Sequence, residues 1–151
     1  MRDYVLLGVF VFLVGLAAAF GAQFQPGPWY GGLQKPPLNP PNWVFGPVWS
    51  VLYLAIATAG WLVWRTRPES PIPLTLWTAQ LILNAAWSYL FFGLRRPGAA
   101  LLEILILLVV LVATTTMFFR VGRVQGALFL PYTLWVTFAA YLNAGIWFLN
   151  R

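Results

Sequence analysis

Apolar residues arrive along this chain in long blocks, not in the short alternating or amphipathic patterns of a soluble domain. Five stretches are long enough to cross a bilayer: Tyr4 to about Phe24, Asn42 to Trp64, Ile72 to Phe92, Ala99 to Phe119 and Gly126 to Leu149. A helix needs roughly 20 such residues to traverse about 30 Å of hydrocarbon. The breaks between blocks carry turn chemistry. Arg65-Thr66-Arg67-Pro68-Glu69-Ser70-Pro71, Gly93-Leu94-Arg95-Arg96-Pro97-Gly98 and Arg120-Val121-Gly122-Arg123 stop helices with Pro and Gly and mark the water interface with Arg. Links this short make neighbouring helices antiparallel. The pattern predicts an all-α integral membrane protein, one domain over residues 1–151, folded as a five-transmembrane-helix bundle.

The first connection is different. Residues 25–41 read Gln-Pro-Gly-Pro-Trp-Tyr-Gly-Gly-Leu-Gln-Lys-Pro-Pro-Leu-Asn-Pro-Pro, too long for a plain turn. Long ordered loops are often functional lids, and a disordered tether is the alternative. Trp29, Tyr30 and Leu33 want a surface to pack on, which favours the lid. The N-terminal run shares Arg2 and Ala17-Ala18-Ala19 with signal peptides. It exceeds the roughly 7–15 apolar residues of an h-region, however, and Asp3 interrupts the positive start, so it is expected to be a retained first helix.

Composition identifies the solvent. Of 151 residues 61% are hydrophobic and 8% charged, with mean hydropathy +0.78. A soluble domain carries about 25% charged residues, so lipid must face much of this surface. The net charge of +6 would suggest nucleic acid in a soluble chain. Here each basic residue sits at the end of an apolar run, where it meets lipid phosphates, and no single basic stripe forms. Membrane lipid is therefore an expected partner and nucleic acid is not. Orientation stays open: Arg2, Arg65, Arg67, Arg120 and Arg123 fall on one side, Lys35, Arg95, Arg96 and Arg151 on the other. With no Cys and no His, disulfides, Cys/His zinc sites, Cys nucleophiles and His bases are excluded. No catalytic residue, cofactor or metal site is expected.

The remaining chemistry is aromatic and amidic. Nine tryptophans are a heavy load for this length. Trp29, Trp43, Trp61, Trp64, Trp77 and Trp147 fall near expected interfaces, where an amphipathic ring is favoured. Trp49, Trp87 and Trp135 lie deeper, where each indole N–H needs a partner. Gln80, Asn84 and Trp87 share one helical face, as do Trp49, Tyr53 and Ile56, and Trp135, Ala139 and Leu142, with Pro131 expected to kink the last helix. These faces either glue helices together or line one apolar pocket with a few polar groups. Glu103 is an intramembrane carboxylate and so a functional candidate. The structural alternative, favoured here, is pairing with Arg95 or Arg96.

Several runs are specific in combination: Trp29-Tyr30-Gly31-Gly32-Leu33-Gln34-Lys35-Pro36, Asn39-Pro40-Pro41, Trp43-Val44-Phe45-Gly46-Pro47-Val48-Trp49 and Leu52-Tyr53. Together with Gln80-Leu81, Asn84, Trp87, Phe91-Phe92-Gly93, Ala113-Thr114-Thr115, Leu130-Pro131-Tyr132, Trp135 and Leu142-Asn143, they make the chain resemble the translocator protein family. That family is also called TspO, the tryptophan-rich sensory protein, or the peripheral benzodiazepine receptor. The resemblance covers nearly the whole chain. It implies a compact five-helix bundle, usually a homodimer, that binds porphyrins, sterols and benzodiazepine-site ligands in a pocket closed by the first long loop. It places Trp49, Asn84 and Trp135 on that pocket, Ala139 and Leu142 beside them, and Tyr30 in the lid. Tyr53 and Trp87 join from the shared helical faces. One departure concerns sterols: Ala144 stands where animal members carry a Tyr closely followed by Arg, and the nearest Arg is Arg151. The short tails favour a bacterial member in a bacterial cell membrane.

Three functions follow. A receptor or sensor for porphyrins and other flat hydrophobic ligands is favoured. A protein that degrades porphyrin in light would use the pigment as photosensitiser and the indoles as electron donors, since no acid/base machinery is present. A transporter of tetrapyrroles or lipids is less expected, because five spans cannot form two equal halves and no internal repeat is visible. For a homodimer, the small residues Ala79, Ala85 and Ala86, or Gly15 and Ala18, are the expected contacts.

Overall fold

The computed structural model describes residues 2–66 and 68–151. Arg67, one of the expected interface anchors, lies outside the described residues. The helices are α1 (Arg2–Ala22), α2 (Pro28–Gly31), α3 (Asn42–Thr66), α4 (Ile72–Ser88), α5 (Pro97–Val121) and α6 (Arg123–Asn150). α4 runs directly into a π-helical turn, Tyr89–Gly93. Pro28 and Pro97 each occupy a first helical position, where a missing N–H costs nothing and a fixed φ helps. The break expected over Arg120–Arg123 shrinks to one extended residue, Gly122, at φ −178° and ψ 153°.

Four of these helices, α1, α3, α5 and α6, are long and apolar enough to cross a membrane. α4 has 17 regular residues, and the π-helical turn adds five more. The expected third span is thus the one whose regular helix is short by itself. Large apolar side chains point outward from the helices, including Val109 at 71% exposure, Val51 at 67% and Ile82 at 66%. Water does not tolerate so continuous an apolar exterior, whereas lipid requires it. The chain is an all-helical, multi-pass membrane protein.

The long helices close into a ring. α1 packs on α3, α3 on α6, α6 on α5, α5 on α4, and α4 back on α1. Aromatic contacts fill one end, with Phe118–Phe129 and Phe129–Tyr132 ring centroids 5.1 and 5.4 Å apart. Beside them the Thr115 and Thr133 hydroxyls join α5 to α6 at 2.7 Å. Trp77 was expected near an interface. It is instead 2% exposed, with its indole N–H donated to the Ile56 carbonyl at 3.0 Å. The approach that makes this bond depends on Gly60, where a Cβ would lie 2.7 Å from the indole. Trp61 is also buried and donates to the Asp3 carbonyl at 2.8 Å, next to the Asp3–Arg65 ion pair at 3.6 Å.

Glu103 departs from the favoured expectation. It is buried, and neither carboxyl oxygen has a partner among the described residues, while Arg95 and Arg96 are exposed. α5 begins at Pro97. Glu103 is therefore well over a turn inside and faces the bundle interior, away from side chains turned towards water.

Candidate functional site

The helices leave a cavity of about 370 Å³ between α1, α3, α4, α5 and α6, roofed by the first loop. All eight sequence-derived site residues line it: Tyr30 from α2, Trp49 and Tyr53 from α3, Asn84 and Trp87 from α4, and Trp135, Ala139 and Leu142 from α6. The spacing explains why. On α3 and α6 the residues recur one turn apart, so each helix turns one face to the ring centre.

The aromatic wall has defined contacts. Trp49 packs on Tyr53 with centroids 5.3 Å apart, and edge-on to Tyr132 at 6.1 Å. Trp135 meets Phe45 at 6.0 Å and Phe138 at 5.7 Å. Trp87 stacks on Phe91 at 5.0 Å with only 24° between the planes. Phe91 extends the Gln80–Asn84–Trp87 stripe by one more turn, so helical periodicity could have found it. Phe92 also lines the cavity. Adjacent residues on a regular helix diverge by about 100°, and the π-helical turn brings both rings to the cavity.

The polar groups divide into committed and free. Asn84 donates its amide N–H to the Tyr132 hydroxyl at 2.7 Å. Trp87 donates its indole N–H to Asn143 Oδ1 at 2.9 Å, and Asn143 Nδ2 donates onward to the Pro97 carbonyl at 2.8 Å. These bonds hold α4 to α6 and α6 to α5. By contrast, among the described residues neither Trp49 nor Trp135 donates its indole N–H to a protein acceptor, unlike Trp61, Trp77 and Trp87. Two wall indoles are left with unspent donors. Among the polar residues on the cavity, sequence reasoning did not assign Gln25, Asn39, Ser50, Ser88 and Asn143 to the site; Tyr132, which it also left out, accepts from Asn84 without lining the cavity itself.

The loop over the cavity, expected to act as a lid, packs on α6 and on the end of α4. Pro28–Gly31 forms α2, which buries Tyr30. The Tyr30 ring packs against Phe91 and Phe92 at 6.3 and 5.6 Å, and Lys35 Nζ lies 4.6 Å above it. Asn150 Nδ2 donates to the Gln34 carbonyl at 2.8 Å, and the Gln34 N–H donates to Asn150 Oδ1 at 2.9 Å. Tyr141 donates its hydroxyl to the Pro37 carbonyl at 2.9 Å. Pro36 is buried against Gly145, where a Cβ would come within 2.5 Å of the proline ring. Asn39 donates to the Tyr30 hydroxyl at 3.4 Å, and its buried Oδ1 has no partner among the described residues.

Comparison with known proteins agrees with this architecture. Residues 7–148 match the TspO/MBR family. The human translocator protein is 39% identical over 145 residues, 91% of this chain and 86% of that protein. The tryptophan-rich protein TspO of Chlorobaculum tepidum is 40% identical over 146 residues, 89% of this chain and 90% of that protein. The tryptophan-rich sensory protein of Cereibacter sphaeroides is 36% identical over 141 residues, 93% of this chain and 89% of that protein. The chain belongs to the TspO/MBR family. Animal and bacterial relatives are about equally similar, so identity alone does not choose a source.

Proposed function

We propose that this TspO/MBR protein crosses its membrane five times and acts as a receptor or sensor for porphyrins and other flat hydrophobic ligands. The α4 helix and its π-helical turn serve as the third crossing, because together they approach the length that a bilayer requires. The observation that carries the ligand reading is the cavity itself. Eight residues from four helices converge on one largely aromatic space, and among the described residues two of its indoles, Trp49 and Trp135, have no protein acceptor. A planar ring system suits such walls, since aromatic pairs gain about 0.5–1.5 kcal/mol beyond their buried area. The volume of about 370 Å³ lies within the roughly 300–1,000 Å³ range of ligand sites. Ala144, at the position of the animal tyrosine, favours a bacterial cell membrane over a sterol-rich one.

The test is protoporphyrin affinity measured by tryptophan fluorescence in detergent. Trp135→Phe and Trp49→Phe are each expected to weaken binding about 2- to 13-fold. Trp64→Phe, which lies outside the cavity, should leave binding unchanged. Equal losses in all three variants would mean that the tryptophans act through bundle stability, and the cavity assignment would fall. Pigment chemically altered on illumination, and not merely bound, would favour breakdown over reception.

We also propose a homodimer built on α4. Ala79, Ala85 and Ala86 flank the exposed stripe of Thr75, Thr78, Ile82 and Tyr89, and small residues permit the close backbone approach that membrane helices favour. Gly15 and Ala18 are less suitable, because they lie in a groove against α3. Single cysteines at Thr78 or Ile82 should crosslink between copies, and a purely monomeric protein in mild detergent would refute the contact.

A further inference from the structure

We propose that the cavity is entered sideways, from the hydrocarbon core of the bilayer, through a groove between α1 and α3. This rests on the ligand reading above. A second space of about 310 Å³ lies between the middles of these two helices, with Gly15 on α1 and Leu54 on α3 among its walls. Ala18, Ser50 and Tyr53 line both this groove and the ligand cavity. Those three side chains thus border both spaces, and Leu54, at 61% exposure, marks the outer, lipid-facing rim.

The seam is loosely built. Of α1 only Phe10 and Val14 are buried, and beyond them the half-buried Ala17 packs on the core. A Cβ added at Gly15 would meet nothing within 4 Å, and the same holds at Gly46, which lines the cavity on α3. The passage also hides its polar atoms. Ser50 donates its hydroxyl to the Gly46 carbonyl at 2.9 Å, so that donor is already spent within α3. On the watery side the reverse is true. The lid is fastened to α6 by the paired Gln34–Asn150 bonds, the Tyr141–Pro37 bond and the Pro36–Gly145 contact. A flat hydrophobic molecule concentrates in lipid. The groove admits it without breaking any of those bonds and without a step through water.

Two measurements decide this, one of them independent of porphyrin. In vesicles of dibromostearoyl phosphatidylcholine without porphyrin, brominated acyl chains should enter the groove and quench Trp49. The Trp49 share is isolated by subtracting the signal of Trp49→Phe. Gly15→Leu, which fills the groove from a position that does not itself line the cavity, should reduce that share about twofold or more, since quenching needs contact. Gly15→Ala should give a smaller change in the same direction. In stopped-flow mixing with protoporphyrin in ordinary phosphatidylcholine vesicles, Gly15→Leu should slow association and dissociation alike, about tenfold, and leave Kd unchanged. Asn150→Ala, which removes the paired bonds between Gln34 and α6, should leave both rates as they were. If bromine does not reach Trp49, or reaches it equally in Gly15→Leu, the side entry is overturned. It is equally overturned if Asn150→Ala speeds binding while Gly15→Leu does nothing. Gly15-sensitive quenching in a protein that binds no protoporphyrin would uphold the entry and reject the porphyrin reading instead.

Discussion

Asn143→Leu keeps the number and branching of side-chain heavy atoms but should remove the hydrogen bonds that tie α6 to α4 and to α5 at this position. In the native bundle Asn143 is 1% exposed, accepts from the Trp87 indole at 2.9 Å and donates to the Pro97 carbonyl at 2.8 Å. Leucine can do neither. In water, orphaning a buried donor costs about 1–3 kcal/mol. Inside a membrane the unfolded helices also find partners, and measured interhelical bonds average about 0.6 with a maximum near 1.7 kcal/mol. Two bonds at those limits give a loss of about 1–3 kcal/mol, which lowers the folded-to-unfolded ratio at least about fivefold. The assay is a dodecyl sulfate titration in mixed micelles, followed by circular dichroism. The double mutant with Trp87→Phe separates bond from packing. If the hydrogen bond carries the effect, the double mutant should be less destabilised than the sum of the two singles, by about 0.6 kcal/mol or more. Simple additivity would refute the claim that Asn143 acts through Trp87.

Two further perturbations follow from the glycines. Gly60→Ala drives a methyl to within 2.7 Å of the Trp77 indole and should cost about 1–3 kcal/mol in the same titration, whereas Gly8→Ala, with open space around it, should be neutral or stabilise α1 by up to about 1 kcal/mol. If both shift stability equally, the close approach at Gly60 is not what its glycine serves. Gly145→Ala pushes on Pro36 and should loosen the lid from α6, seen as faster proteolysis within residues 25–41 while helical content is unchanged; an undisturbed cleavage rate would mean that the Pro36 contact does not hold the lid.

How much could be read beforehand follows from what each force leaves in the sequence. The bilayer demands apolar blocks of nearly fixed length, so the helices and their order were legible within a few residues. Even there, the regular part of α4 ended early because the π-helical turn follows no hydropathy rule. One-turn spacing also disclosed which residues share a face, and with the family resemblance this put Trp49, Asn84 and Trp135 on the cavity before any coordinates. What spacing does not encode is which face meets which. Asn84 and Tyr132 lie 48 positions apart, Trp87 and Asn143 56, and Gln34 and Asn150 116. Nothing local to either partner announces the other. The same gap explains Trp77 and Glu103. Hydropathy fixes depth along the membrane normal, while rotation about the helix axis decides whether a polar tip meets water or interior. Trp77 turns inward and finds the Ile56 carbonyl. Glu103 turns inward and finds no partner among the described residues. The division between spent and unspent donors in the cavity is a consequence of those rotations. It is also what makes Trp49 and Trp135, and not Trp87, the indoles with a hydrogen bond left to offer a ligand.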